Sequence, residues 1–456
     1  MSWKAAAGQL GGRTGAGVTI LFFALITLAI ANSSGAQEDA PAIILANANI
    51  IDATGGPLLE DVTIVIRGDR IAEIRSGRYE RASGEANVRV VDLEGGYVLP
   101  GLWNNHSHLG DLLPDPNHVL DGEPLLPAAI RSGRNAMDAL RRGFTSLRMT
   151  GERDYIDVAW RDAFDAGVFV GPRIIASGNP IAATGGHGTE NIGPVAVEID
   201  GPYEMRKAVR EHLKHGADII KIMVDELTAD EIEAAVETAH ANGVKVVGHA
   251  AEPGAGLAVK LGIDGIEHGY RLTDETIAMM AEKGTFYDPT IVCNLSAEYI
   301  EEREARIAEL GLDEDPLAIE GRIEVAYADE RSPRSALRQR EILRKAFAAG
   351  VKIIPGSDSN PIDEIGLLEI EQLVFSGLSE MDAIIAATRN SAEMVGRLDD
   401  LGTVEVGKIA DLIVVEANPL DHISNLRRLE MVFKDGLPVN LVRDEGQKSF
   451  WELFMR

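Results

Sequence analysis

The sequence predicts an α/β chain: a (β/α)8 TIM barrel with a small composite β-sandwich domain built from both chain ends. Three observations predict it. Short apolar runs recur eight times between helical stretches across residues 98–400, the alternation of a parallel sheet wrapped in helices. On either side of that stretch the texture changes to apolar runs broken by Gly, Asp and Asn, as in strands joined by tight turns. Of the 456 residues 45% are hydrophobic and only 5% aromatic, with 47 Gly, so a large core has to be built from small aliphatic side chains.

Residues 1–36 contain no Asp or Glu, carry Lys4 and Arg13, and run apolar from Val18 to Ala31. That run is shorter than the ~20 residues a bilayer crossing needs. Ser34 and Ala36 then fit a small-x-small cleavage pattern, so 1–36 is expected to be a secretory signal peptide. The expected destination is the periplasm or the extracellular medium, with no membrane association once the signal is removed. Residues 37–97 form the first part of the predicted β-sandwich, in AIILANANIID, VTIVIRGDRIAEI and VRVVDLEGGYVLP, read as antiparallel strands. The second part is 401–443, with GTVEVGKIADLIVVEANP and LEMVFKDGLPV, and 444–456 is a tail.

Between them, 98–400 reads as the barrel. Its strand candidates are GLWNNHSHL, FTSLRMT, RIIASG, ADIIKIMV, VKVVGHA, DGIEHG, TFYDPT and VKIIPGSDS. After the fourth comes TADEIEAAVETAHANG, where Thr228 and Glu231 make a capping box, Ile232, Ala235, Val236 and Ala239 line one face, and Gly243 ends the helix. The charged, helix-patterned stretch 295–340 suits an excursion over the barrel mouth or an oligomer contact, and a homo-oligomer is expected.

Charge narrows the partners. Against 44 Lys+Arg stand 72 Asp+Glu, a net charge of −28, which excludes a basic footprint for nucleic acid and argues against anionic membrane surfaces. The single cysteine, Cys293, excludes an internal disulfide and a cysteine-based zinc ribbon. A small-molecule substrate is the remaining partner class.

In a barrel of this kind the chemistry gathers at the C-terminal strand ends. The first strand ends in His106-Ser107-His108, whose two imidazoles share a strand face and can reach one ion. The fourth carries Lys221 inside the apolar run Ile219, Ile220, Ile222 and Met223; the fifth ends in His249, the sixth in Glu267-His268, the eighth in Ser357-Asp358. Any one of them has an ordinary structural explanation, but together they form a constellation at one end of the sheet. Gly254-Ala255-Gly256 lacks the third glycine of a dinucleotide fingerprint, and no G-x-S-x-G elbow is present.

These motifs resemble the metal-dependent amidohydrolase superfamily in its prolidase-like (imidazolonepropionase-like) branch. The resemblance is carried by VLPGLWNNHSHL at 98–109, GADIIKIM at 216–223, VVGHA at 246–250, IEHG at 266–269, GVKIIPGSDS at 350–359 and GTVEVGKIADLIVV at 402–415, in the family's order. It implies a TIM barrel with a composite β-sandwich and a metal-dependent hydrolase. Carried over position by position, His106 and His108 match the pair that binds the more buried metal. Lys221 matches the lysine that is carboxylated to bridge two metals, and His249 and His268 match the ligands of the second. Asp358 matches the aspartate that ligates metal and acts as general base.

The physics of each role is consistent. A lysine in an apolar strand has a depressed pKa, so its neutral amine can capture CO2. Imidazole and carboxylate ligands suit two divalent ions, Zn2+ first, with Mn2+, Co2+ or Ni2+ as alternatives. Two such ions about 3.5–4 Å apart lower the pKa of a bridging water toward 7 and polarise a scissile carbonyl.

Around the site the resemblance leaves alternatives open. Thr184-Gly185-Gly186-His187-Gly188 resembles a Gly-rich active-site loop in which His187 would act catalytically on a substrate carbonyl, or is a surface loop. Arg148 binds a substrate carboxylate or makes a structural ion pair, and Tyr270 and Tyr287 are pocket walls or packing. After Arg148, Met149 replaces an acid, and at the rim Asp225-Glu226-Leu227 replaces a longer Gly-rich insertion while Ala251 stands where a second histidine is common. Asn360-Pro361 likewise replaces a frequent Gly-rich segment. The expected activity is hydrolysis of amide bonds in dipeptides or N-acyl amino acids by a metal-bridging hydroxide. The nearest alternative is a hydrolase of aryl amides, ureas, carbamates or lactones, followed by a mononuclear deaminase, against which Lys221 speaks.

Overall fold

The computed structural model describes residues 42–80, 88–110, 124–189, 195–294, 333–358 and 362–443. The expected signal segment, 295–332 of the charged stretch, Asn360-Pro361 and the tail at 444–456 lie outside the described residues.

Strands from both sequence regions flanking the middle share one eight-stranded sheet. Its order runs Leu437–Pro438, Leu429–Lys434, Leu412–Val415, Tyr97–Pro100, Ala42–Ile50, Leu59–Arg67 and Arg70–Ser76, with Val88–Asp92 also paired to Ala42–Ile50. The turns follow from the sequence. Arg67 pairs with Arg70 across Gly68-Asp69, and Gly68, at φ 60°, supplies the positive φ that a two-residue hairpin requires at its first position. Asp435-Gly436, at φ 48° and 77°, does the same between Lys434 and Leu437. One face buries Leu45, Ile64, Ile66, Leu412, Val414 and Phe433 in a core of its own.

The expectation of antiparallel pairing throughout this sheet needs correction. Ala42–Ile50 pairs in parallel with both Val88–Asp92 and Tyr97–Pro100. Parallel neighbours cannot be joined by a hairpin, and here the Leu59–Ser76 hairpin intervenes in the chain. The antiparallel partner of Tyr97–Pro100 is Leu412–Val415, far away in sequence.

The middle of the chain is built from parallel strands alternating with helices. Leu102–Ser107, Phe144–Met149 and Arg173–Ile175 form one parallel sheet; Ile219–Met223, Lys245–Ala251, Gly265–Tyr270 and Phe286–Asp288 form the body of another. The amides of Asp218 and Ile219 donate to the Ala176 carbonyl at 2.7 and 3.2 Å, which links the third segment to the fourth. Tyr287 bridges Ile353 in parallel, and the Asn105 amide donates to the Pro355 carbonyl at 2.9 Å, which links the eighth segment to the seventh and the first. The predicted eighth strand is thus reduced to one bridge and extended chain. Pro355 has no amide to donate, and Gly356 is pressed against the first strand.

The helix predicted after the fourth strand spans Ala229–His240. The Thr228 amide donates to the Glu231 carboxylate at 2.8 Å, closing the capping box, and Ile232, Ala235, Val236 and Ala239 are buried. They pack in the same core as Ile220, Ile222 and Val246 of the strands beneath. Full burial of Ile232 alone contributes roughly 2–3 kcal/mol. Among the described residues no helix is long and apolar enough to cross a membrane.

Candidate metal centre

The first parallel strand is anchored before its histidines begin. The Asn104 side chain donates to Ser357 Oγ at 2.8 Å and to the Ile362 carbonyl at 3.1 Å; that of Asn105 donates to the Pro355 carbonyl at 3.0 Å and Ser391 Oγ at 2.8 Å. His106 and His108 follow with ring centroids 5.4 Å apart. Both Nε2 atoms converge on Asp358 Oδ1, at 3.2 and 3.1 Å, while His268 Nδ1 lies 4.0 Å from Asp358 Oδ2. The ligand atoms of His106, His268 and Asp358 fall within 4.8 Å of one another, a spacing that could hold a metal ion. His249 completes the row, its ring 4.4 Å from that of His268.

Each imidazole has a further polar neighbour. His106 Nδ1 lies 2.8 Å from Glu267 Oε2, His108 Nδ1 donates to the Gly151 carbonyl at 2.7 Å, and His268 Nδ1 lies 2.6 Å from the Thr290 hydroxyl. His249 Nε2 faces the Asp225 carboxylate at 3.8 Å. With Nδ1 engaged outward, His106 and His108 present Nε2 to Asp358, the arrangement a metal-binding histidine needs. Backbone strain is present here as well. His268, Thr290 and Asp358 are non-glycine residues at φ 64°, 42° and 49°, each held at a cost of about 1–3 kcal/mol by the surrounding scaffold.

The electrostatics keep the ligand set ready. Burial, the Lys221 ammonium and His187 push His249 down to about 3, and burial with the neighbouring His249 holds His268 well below the ordinary imidazole range. Both rings are therefore neutral at pH 7, with a lone pair to offer. Burial alone would raise the Asp358 carboxyl, but the imidazoles of His106 and His108 at its Oδ1 hold it well below the usual carboxylate range. Lys221 is 1% exposed, and burial pushes it down to about 8. Its ammonium makes no hydrogen bond among the described residues, although the carboxylates of Glu267 and Asp358 act on it electrostatically.

The residues at the rim divide. His187 is exposed on the Gly-rich loop with its ring 4.5 Å from His249, and Tyr270 stacks on His268 at 5.4 Å and 6°, so both border the cluster. Arg148 does not. It is wholly buried, with Nε donating to the Asn105 carbonyl at 2.6 Å and Nη2 to Glu267 at 2.7 and 2.8 Å, so the structural ion pair replaces the substrate contact. Tyr287 needs the same correction: it is fully buried and its hydroxyl donates to the His268 carbonyl at 3.0 Å, facing protein and not a pocket. The altered rim positions touch each other, because Asp225 Oδ1 accepts the Ala251 amide at 2.7 Å.

The sequence alone gives Glu267 no role, marks Asp225 only as part of the altered rim, and leaves Asp288 and Thr290 unremarked within the seventh strand candidate. Glu267 and Asp288 carried a usable signal, a charged side chain inside a short apolar strand, which is how Lys221 stood out. Arg148 holds the buried Glu267 ionised, whereas burial and the Glu267 charge push Asp288 well above the carboxylate range.

Gly356 is required where the eighth segment crosses the first strand. A Cβ there would come within 2.3 Å of both His106 Cβ and Asp288 Oδ2. Gly356→Ala is expected to push His106 off its position, destabilising the fold by about 1–3 kcal/mol and weakening metal retention. Urea unfolding and zinc analysis of the variant check this; wild-type values for both would refute it.

The donor set fits a metal centre, and similarity to known proteins agrees. The profile of the amidohydrolase family matches residues 97–439. Ochratoxinase from Aspergillus niger is 26% identical over 433 residues, covering 85% of this chain and 84% of its own. Among solved structures, a Xaa-Pro dipeptidase with methionine bound in its active site superposes with a TM-score of 0.74 and 31% identity, over 87% of this chain and 99% of that one. A prolidase complexed with N-methylphosphonate-L-proline gives 0.72 and 30%, over the same 87% and 99%.

Proposed function

The chain belongs to the amidohydrolase family, and on that premise we propose that it is a binuclear metal-dependent hydrolase cleaving amide bonds of dipeptides or N-acyl amino acids. The observation that carries the proposal is the convergence of His106, His108 and His268 on Asp358 beside a buried lysine that makes no hydrogen bond among the described residues. In this reading the eight parallel segments close a (β/α)8 barrel, supported by the bonds joining the eighth to the first. The 1–36 segment directs export, and the eight-stranded sheet is the composite β-domain.

His106, His108, His249, His268 and Asp358 would hold two ions, zinc by donor chemistry, with Lys221, once carboxylated, as a further ligand. When bound, the ions supply Lewis acidity, polarising the scissile carbonyl and acidifying the attacking water. The remaining steps belong to the protein. Asp358, ionised and fixed by two imidazoles, takes the proton of the water and later delivers it to the leaving nitrogen. In this reading His187, whose ring lies beside that of His249, donates to the substrate carbonyl oxygen, and Tyr270 flanks the bound substrate.

One observation favours a second reading. Arg148 was the cation the sequence offered for a substrate carboxylate, and its guanidinium is spent on Glu267. A hydrolase of aryl amides, carbamates, ureas or lactones needs no such cation. A panel of Xaa-Pro and other dipeptides, N-acyl amino acids, aryl amides, carbamates, ureas and lactones separates the two, using protein reconstituted with zinc and bicarbonate. Turnover confined to substrates with a free α-carboxylate is expected. Turnover of carboxylate-free substrates alone would replace the first reading by the second.

A further inference from the structure

The partner of His106 differs in kind from those of its neighbours. His108 has a backbone carbonyl on Nδ1 and His268 a hydroxyl, but His106 has a carboxylate, Glu267, at 2.8 Å. Both members of that pair are buried. An ionised carboxylate only accepts hydrogen bonds, so the shared proton sits on His106 Nδ1 and the ring offers Nε2 on the side of Asp358. A carboxylate acceptor also makes an imidazole a stronger donor to a metal than a carbonyl or hydroxyl does.

Glu267 is itself immobilised. Arg148 Nη2 donates to both of its oxygens, at 2.7 and 2.8 Å, while Arg148 Nε donates to the carbonyl of Asn105, the residue before His106. The same Nη2 reaches Asp288 Oδ2 at 3.4 Å. The bracket therefore spans four strands, grips His106 through its ring and through its chain neighbour, and contains no solvent-exposed member.

We propose that Glu267, locked by Arg148, is a positioning residue that fixes His106 in the Nδ1–H tautomer and makes the His106/His108 half of the site the tighter of the two metal positions. The inference rests on the two-metal reading above. Neither Glu267 nor Arg148 touches substrate; both act through His106.

The test is competition for zinc between the full-length protein and a chromophoric chelator, with metal-free thermal unfolding measured in parallel. Wild-type protein is expected to release its zinc in two separable steps. Glu267→Gln keeps an oxygen that can accept from Nδ1–H but lacks the charge and presents an amide to Arg148. It is expected to bind the tighter ion about 10–100-fold more weakly, bringing the two steps together. Unchanged zinc affinity with a lowered Tm would make Glu267 merely structural and overturn the proposal.

Should the unpaired Arg148 charge prevent Glu267→Gln from folding, the double variant Arg148→Met/Glu267→Gln removes both charges of that ion pair and carries the same test. It is expected to show the same loss, and wild-type affinity in it would overturn the proposal. Wild-type protein that binds no zinc would instead overturn the two-metal reading itself, so the two failures are distinguishable.

Discussion

Asp358→Asn is expected to lower kcat by about 10²–10⁴-fold, the range of a lost general acid-base, and to leave the metal-free fold intact. The argument has two halves. The carboxylate is the meeting point of the site, with His106 Nε2 and His108 Nε2 both on Oδ1 at 3.2 and 3.1 Å, so its proton affinity decides whether an attacking water can be deprotonated. An amide has no such affinity. The fold is spared because the Asp358 backbone sits at φ 49°, a conformation that asparagine tolerates better than other non-glycine residues do, and its amide still donates to the His106 carbonyl at 2.8 Å. Steady-state kinetics on the best substrate of the panel, with thermal unfolding of the metal-free variant beside it, make the measurement. Near-normal turnover would remove Asp358 from the base role; collapse of the metal-free fold would show that the carboxylate is structural.

What the sequence made legible depended on contrast with local context. Lys221 stood out because four apolar neighbours surround it in a short strand, and His106 and His108 because a two-residue spacing puts them on one face. The helix at Ala229–His240 was legible for the same reason, since cap, face and end each have a local signature. What stayed hidden depends on contacts between distant residues. Whether Arg148 faces a ligand or a buried carboxylate is decided by Glu267, separated from it by 119 residues, and no local pattern encodes that pairing. Tyr287 is similar: its ring is read as pocket or core only once the chain near Gln339 packs over it, with the Gln339 side chain donating to its hydroxyl at 2.8 Å. The shortness of the eighth strand was partly legible, since Pro355 cannot complete a ladder, but Gly356 reveals its purpose only against His106. The parallel pairing of Ala42–Ile50 with Val88–Asp92 was not legible, because alternation of apolar residues is the same in either direction.

On the two-metal proposal, Lys221→Ala is expected to retain one ion instead of two, with turnover reduced by orders of magnitude and partly restored by added formate, acetate or propionate, whose carboxylates would stand in for the proposed carbamate. A structural lysine would show neither the lost ion nor the rescue. The same residue makes a pH prediction whose sign follows from its environment. Burial pushes Lys221 down to about 8, against 10.5 for an unburied side chain. Between those values the unfolded chain binds the proton and the folded chain does not, so this lysine makes the metal-free fold gain stability as pH rises from about 8 to 10.5. The full difference amounts to about 3 kcal/mol, lost again as pH falls back through that window. Urea unfolding of metal-free wild type and Lys221→Ala in CO2-free buffer isolates it, because every other titrating group is common to both proteins. The wild type alone should gain that increment; parallel curves would mean that Lys221 titrates as if exposed. The chemistry shares this origin. A side chain with a value near 8 is neutral in roughly one molecule in ten at pH 7 and one in two at pH 8, so CO2 capture should be about five times faster at the higher pH. Zinc uptake in bicarbonate should accelerate with it in the wild type, whereas the residual uptake of Lys221→Ala should be indifferent to bicarbonate.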